Sequence, residues 1–201
     1  YDKSKILIID PELIFSTYSG SQGDNWGYTA TYDDEGNAYS GGIAYNSFDT
    51  YSGYPADNFV GAYQSDFGGG ISDVAISKYS EDGSTLLYAT YLGGSNEDRP
   101  MSMIVNSKDE LVILGNTNSG DFPTKVGSYD ETLNNGTGFN YDIFITVLSS
   151  DGGSLVGSSF IGGSNNDGFN TMAYFYGDEY RSEVIIDELD NIYVASNTNS
   201  N

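Results

Sequence analysis

The sequence predicts an all-β fold built from a repeated set of antiparallel strands. Short runs rich in β-branched and aromatic residues alternate with clusters of Asp, Gly, Asn and Ser, as in strands joined by tight turns. No stretch shows the apolar spacing of three and four residues that indicates a helix. Shifting the sequence by 69 positions places residues 73–98 on residues 142–167 without a gap, and 11 of these 26 positions are identical. Chance would give about one or two, so the chain contains an internal duplication.

The strands of one repeat follow each other in a fixed order. A first pair is joined by the turn 81–84, two glycines come next, and a second pair is joined by the polar turn 107–109. The four predicted strands are 73–80, 85–92, 100–106 and 110–116. Four consecutive antiparallel strands joined by local hairpins make one β-propeller blade. A long loop, residues 118–141, is expected to separate one four-strand set from the next.

The predicted fold is therefore an incomplete set of about three β-propeller repeats. We expect residues 11–201 to be the propeller segment. Its repeats span about 13–85, 86–154 and, in part, 155–201. Because propellers close with about 4–8 blades, we expect the chain to belong to a longer polypeptide. The alternatives are a β-sandwich, which seldom repeats its sequence, and a β-solenoid, whose coils have a shorter period.

The sequence "GGSNED" at residues 93–98 returns as "GGSNND" at residues 162–167, and we call each copy a glycine corner. Gly93 and Gly94 are expected to supply positive φ or a close approach of neighbouring backbones. The short polar side chains that follow them can hydrogen-bond the amides of the turn. Backbone geometry therefore explains the recurring acid before any ligand is needed.

The charge of the chain excludes several kinds of partner. Seven basic residues stand against 29 acidic ones, for a formal net charge of −22. Binding to a nucleic acid depends on clustered Lys and Arg, so we expect no nucleic-acid partner. An anionic membrane surface would also repel the chain, and no apolar run is long enough to insert into a membrane.

The residue types also argue against catalysis. The chain has no Cys and no His, which removes thiolate chemistry, disulfides and the usual general base. Paired carboxylates, as in a glycoside hydrolase, are the enzymatic alternative that is left. The acids lie mostly in predicted hairpin turns, where carboxylates are usually solvated. We therefore expect that the protein is not an enzyme.

Several linked motifs resemble one bacterial repeat family. The motifs are "LLYATYLGGSNED" (86–98), "GNTNSGDFPT" (115–124) and "DIFITVLSSDGGSLVGSSFIGGSNNDG" (142–168). Together they resemble the SBBP family of β-propeller repeats. The sequence "ILIIDP" (6–11) is similar to the junction between an N-terminal domain and the propeller in such proteins, which implies that residues 1–10 are a lead-in from a preceding domain. The segment 174–196 is similar to the version found in very long surface proteins of Bacteroidetes, some of them associated with gliding motility.

The resemblance implies a location and a set of partners. Proteins of this kind are exported by the type IX secretion system, so we expect an extracellular or outer-surface location. The implied partners are the type IX secretion machinery and other domains of the same long polypeptide. The implied function is that of a non-catalytic scaffold and binding surface in adhesion, and the alternative is a carbohydrate-binding or calcium-dependent surface module.

Aromatic residues are the candidate ligand-binding groups. Flat amphipathic rings suit sugar stacking and protein interfaces, and binding usually resides in loops carried by a rigid scaffold. The candidates are expected to lie in insertions that a blade does not require: Trp26, Tyr51, Tyr54, Tyr174, Tyr176 and Tyr180. The expected ligand is a surface glycan or a protein.

We expect no cofactor, with calcium as the alternative. Oxygen ligands from Asp and Asn are abundant, but no D-x-D-x-D-G loop occurs. Asp73 and Asp142, which each open a predicted strand, are expected to be turn or cap groups. We expect no other cofactor and assign no metal ligands.

Overall fold

The architecture consists of short antiparallel sheets. The computed structural model describes residues 13–18, 25–45, 53–134, 140–169 and 181–200. These residues form ten strands and a short 3-10 helix at Pro55–Asn58, and they include no α-helix. The strands are β1 (Asn25–Tyr32), β2 (Ala38–Tyr45), β3 (Ser72–Tyr79), β4 (Leu86–Leu92), β5 (Asp98–Val105), β6 (Leu111–Thr117), β7 (Asp142–Leu148), β8 (Leu155–Ile161), β9 (Glu183–Ile186) and β10 (Ile192–Ala195). The predicted all-β class is confirmed.

Each strand pairs with its neighbours along the chain. The first sheet contains β1 to β4 in chain order, and the second contains β5 to β8 in the same order. Strands β9 and β10 pair in a third sheet. Every pair of neighbouring strands is antiparallel, and among the described residues the sheets do not close into a ring.

The division of the strands into sets was predicted wrongly. Residues 118–141 do not separate two sheets, because they connect β6 to β7 inside the second sheet. Leu111 pairs with Leu148 and Thr117 with Asp142, so this long connection closes a hairpin. The change of sheet occurs at the glycine corner between β4 and β5. Periodicity reveals where strands lie, but the length of a connection does not reveal which strands pair.

The first two sheets pack face to face over the main core. Apolar side chains of the first sheet (Tyr39, Val74, Ile76) meet those of the second (Ile113, Phe144, Phe160). The opposite face of the second sheet packs on the third sheet through Val112, Leu114 and Val184. All seven residues of β6 are buried, which explains why this strand begins with a run of four apolar residues and does not alternate.

One hairpin turn is built in the same way three times. A side-chain oxygen of its first residue accepts hydrogen bonds from the N–H groups two and four residues later, at Asp33, Asn106 and Asp187. The fourth residue of each turn has left-handed φ: Gly36, Asp109 and Asp190. Asp33 is buried and also pairs with Lys78 at 2.9 Å. Acids that the sequence places in hairpin turns therefore hold the turns together.

The glycine corner depends on close packing. A Cβ atom added to Gly93 would lie 2.6 Å from Oδ1 of Asp73 and 2.8 Å from Oδ2 of Asp98. One added to Gly162 would lie 2.5 Å from Oδ1 of Asp142. Neither glycine is in the left-handed region. Positive φ is therefore wrong as the reason for glycine at these two positions, and the close approach is made by side-chain carboxylates instead of the expected neighbouring backbone.

The acid of each corner bonds the corner itself. Oδ2 of Asp98 accepts the N–H of Gly94 at 2.8 Å and the hydroxyl of Ser119 at 3.0 Å. In the second corner, Oδ2 of Asp167 accepts the N–H of Gly163 at 2.8 Å and the hydroxyl of Ser200 at 2.7 Å. The same contacts thus recur where the first sheet passes into the second and where the second passes into the third.

Gly93→Ala tests the close packing of the corner. The added methyl group meets two enclosed carboxylates, so we expect the free energy of unfolding to fall by about 1–3 kcal/mol in urea denaturation. Gly157→Ala is the matched control, because a Cβ there meets nothing within 4 Å. Its effect should stay within about 0.5 kcal/mol. Equal effects of the two substitutions would contradict this account of the corner.

Candidate functional site

Trp26 lies within β1, so the prediction that it belongs to an insertion is wrong. Its indole is 58% exposed, and the Tyr45 ring meets it at a centroid distance of 5.7 Å and an angle of 71°. The two rings therefore form a corner that leaves most of the indole accessible. Among the described residues, strand β1 pairs with β2 alone, and an edge strand of this kind can carry large aromatic side chains outside the core.

Tyr28 joins Trp26 on the same strand. Burial raises the pKa of Tyr28, the charge of Arg99 lowers it, and Tyr45 and Glu97 raise it further. These opposing effects show that Arg99 and Glu97 lie near the phenol. Arg99 and Glu97 lie at the start of the second sheet, and they reach Tyr28 because β5 runs beside β1.

A largely buried ion pair lies near Tyr28. The Arg99 guanidinium donates to Oε1 of Glu97, and the Tyr141 hydroxyl donates to Oε2 of the same carboxylate. The side chains of Arg99 and Glu97 are only 15% and 12% exposed. We call the set Trp26, Tyr28, Tyr45, Glu97, Arg99 and Tyr141 the aromatic cluster. It combines exposed ring surface with a fixed acceptor and a fixed donor.

The structure places Tyr54 in the core. Its side chain is 4% exposed, its hydroxyl lies 2.5 Å from that of Ser77, and its ring lies 5.4 Å from the ring of Tyr91. It therefore offers no surface to a ligand, which corrects the expectation from sequence. Tyr51, Tyr174, Tyr176 and Tyr180 lie outside the described residues.

Tyr54 has a structural counterpart in the second sheet. Phe122, which also precedes a proline, stacks on Phe144 at 4.4 Å. Ala75 occupies the position in the first sheet that Phe144 occupies in the second. The smaller side chain of Ala75 lines a pocket of about 130 Å³ beside Tyr54. Tyr54 and Phe122 thus each lie in the loop between the second and third strands of a sheet and pack on a face of that sheet. The only sign of this correspondence in the sequence is the proline that follows each of them.

Three buried aspartates have raised pKa values. Burial is the main cause at each, and it raises the pKa of Asp73 to about 8 and those of Asp98 and Asp142 to about 6. Hydrogen bonds oppose this, among them the N–H of Gly68 to Asp73 and that of Asn134 to Asp142. Asp73 and Asp142 thus bond the loops before β3 and β7, as their sequence positions predicted.

These aspartates are poorly placed for catalysis or for binding metal. Each is fully buried, whereas an acid–base residue must reach its substrate. Among the described residues, no group of three or more carboxylates is placed to hold a metal ion. No helix in the described ranges is long and apolar enough to cross a membrane. Calcium binding is still a prediction.

Comparison with known proteins adds no relative. The chain matches no protein-family model and no curated protein. Membership of the SBBP family and an origin in Bacteroidetes are therefore still predictions, carried by the motifs alone.

The buried aspartates predict that stability falls as pH rises from about 4 to 8. Their folded pKa values exceed the ordinary value of 3.8, so the folded state binds more protons than the unfolded state in this window. Asp33 acts in the opposite direction, because hydrogen bonds from Asn37 and Lys78 outweigh its burial and lower its pKa to about 2. Stability should therefore decline again below pH 4, and thermal unfolding across this range measures both limbs.

Asp73→Asn tests the predicted fall in stability between about pH 4 and pH 8. The amide keeps an acceptor for the N–H of Gly68 and removes the buried charge, so we expect a gain on the order of 2 kcal/mol at pH 8 and almost none at pH 4. Asp34→Asn, at an exposed position, changes the net charge equally and should leave the slope unchanged. A variant at residue 73 that is less stable than the parent at pH 8 would refute the assignment.

Proposed function

We propose that the chain is a run of consecutive β-propeller blades that serves as a non-catalytic scaffold and binding module at the cell surface. The observation that carries this proposal is the stacking of two four-stranded sheets, each with its strands in chain order, linked through the first glycine corner. The first strands of successive sheets run side by side, β1 with β5 and β5 with β9. Radial repetition of such sheets is the propeller arrangement.

The third sheet supports the proposal through its entry geometry. Asp167 binds the second corner as Asp98 binds the first, and Thr198 and Ser200 supply hydroxyls to it. Strand β10 corresponds to β2 and β6, and both of those strands pair with a third strand. Among the described residues, one edge of β10 is unpaired, and we expect a further strand to pair with it there.

The surface beside β10 has the shape of an unfinished blade interface. A pocket of about 460 Å³ lies between Ile143 and Ile161 of the second sheet and Val194 of the third. Between the first and second sheets, Phe122 and Phe144 belong to the core that fills the equivalent space. A third and a fourth strand carrying such rings would cover the pocket.

The cellular part of the proposal rests on the sequence. Export by the type IX secretion machinery, attachment to other domains of a long polypeptide and a role in adhesion or gliding follow from the resemblance to SBBP proteins. The net charge of −22 supports an external location, because salt and divalent cations outside the cell screen self-repulsion. The structural use of the turn and corner acids supports a scaffold rather than a glycoside hydrolase.

Completing the third sheet tests the blade arrangement. A chain extended after Asn201 by a second copy of residues 121–161 continues the repeat, because Thr198 and Ser200 align with Thr117 and Ser119. We expect a higher Tm and slower native-state proteolysis near β10. The matched control carries Phe144→Asp and Phe160→Asp in the copied segment and should lose both gains. An extension that is digested away without any change in Tm would refute the arrangement.

Surface location is tested on the bacterium that makes the protein. Protease added to intact cells should cleave the protein, whereas a cytoplasmic marker in the same sample should survive. Protection of the protein until the cells are lysed would contradict the external location and the adhesion role that depends on it.

A further inference from the structure

We infer that the aromatic cluster binds a neutral sugar, with one pyranose ring lying on the indole of Trp26. The inference rests on the proposed binding function and gives it a ligand class and a position. The cluster joins β1 and the end of β2 to the residues that open β5 and β7. It therefore sits on rigid elements of two sheets.

The aromatic part of the cluster is not required by the fold. The strand register places Arg99 in the second sheet where Trp26 stands in the first, and Met101 where Tyr28 stands. Trp26 and Tyr28 lie outside all three core clusters of the described residues. A patch of exposed aromatic side chains that one sheet carries and the next lacks points to interaction rather than to packing.

The geometry of the rings suits a sugar. The C–H face of a pyranose packs on an indole, and the Tyr45 ring, inclined at 71° to that indole, gives the site a side wall. Tyr28, 37% exposed, lies two residues after Trp26 in β1 and adds a phenolic hydroxyl to the cluster. Tyr and Trp combine an apolar ring face with a polar group at the ring edge, and a sugar likewise combines an apolar C–H face with polar hydroxyl groups.

The buried pair supplies the polar contacts. Arg99 and Tyr141 hold the Glu97 carboxylate from two sides, so the carboxylate and the guanidinium are fixed next to each other. A carboxylate oxygen has two lone pairs and a guanidinium has five N–H donors. Adjacent sugar hydroxyls, which both donate and accept, match such a pair.

Charge selects among the possible ligands. A net charge of −22 repels uronic and sialic acids. A quaternary ammonium ion is the rival ligand for an aromatic corner, but it gains most where a negative charge is unopposed. Arg99 neutralises Glu97 within the cluster, which favours an uncharged ligand.

The single Trp of the sequence makes the test direct, because its fluorescence reports on this cluster alone. We would titrate the full chain with neutral hexoses, N-acetylhexosamines, 6-deoxyhexoses and pentoses, as methyl glycosides and as oligosaccharides. At least one should shift the emission of Trp26 to the blue in a saturable manner. Glucuronate and tetramethylammonium serve as the anionic and cationic probes and should produce no saturable shift.

Calorimetry with the best sugar measures the contribution of the cluster. Trp26→Ala should lower the affinity at least about tenfold, which is typical of an aromatic anchor. Tyr129→Ala removes an aromatic residue that is 91% exposed outside the cluster and should leave the affinity unchanged. Circular dichroism and Tm confirm that both variants are folded.

Three results would overturn the inference: no response to any neutral sugar, a saturable response to tetramethylammonium alone, or equal affinity in the parent and Trp26→Ala. None of these results affects the Tm gain expected from completing the third sheet. A failed extension, in turn, leaves the sugar titration interpretable, so the two proposals can fail separately.

Discussion

The enclosed carboxylate at each glycine corner is the constraint on which the stacking of the sheets depends. Asp98 accepts hydrogen bonds from the corner that ends the first sheet and from Ser119, which follows β6 of the second. Because Asp98 is fully buried, only groups that the fold places beside it can bond its Oδ2. A shift of one sheet against the next would leave a buried acceptor unpaired. Asp167 repeats this link, and the repeat explains why an acid returns at each corner in a chain already rich in negative charge.

The stacking of the sheets explains which strands are buried and which are exposed. Strand β6 belongs to the sheet that lies between the other two and is buried on both faces, while β1 has an unpaired edge among the described residues and an exposed aromatic surface. The residues that hold the sheets together are therefore different from the exposed aromatic residues. The buried aspartates and the ring packing of Phe122 and Phe144 hold the sheets, and Trp26 can face outward without weakening the core. Side chains carried by strands are also positioned more precisely than side chains carried by mobile loops.

The sequence predicted local features well and spatial neighbours poorly. The duplication, the hairpin turns and the structural use of Asp73 and Asp142 were visible, because each depends on residues close together in the chain. The division into sheets was missed, because a long connection between β6 and β7 looks like a boundary. The sequence predicts Tyr54 as a ligand-binding residue although Ser77 and Tyr91 enclose it, and it predicts an insertion at Trp26 although this residue lies on an edge strand.

By itself, the sequence determined the all-β class, the repeat and the turn chemistry, since strand propensity, periodicity and side-chain-to-backbone hydrogen bonds act over a few residues. Only the tertiary structure decided which strands share a sheet, which glycine needed close approach rather than positive φ, and that Tyr28 lies near Arg99. Those contacts join β1 to β5, which lie far apart in the chain. Their partners are chosen by packing one sheet on another, and no local pattern in the sequence records that choice.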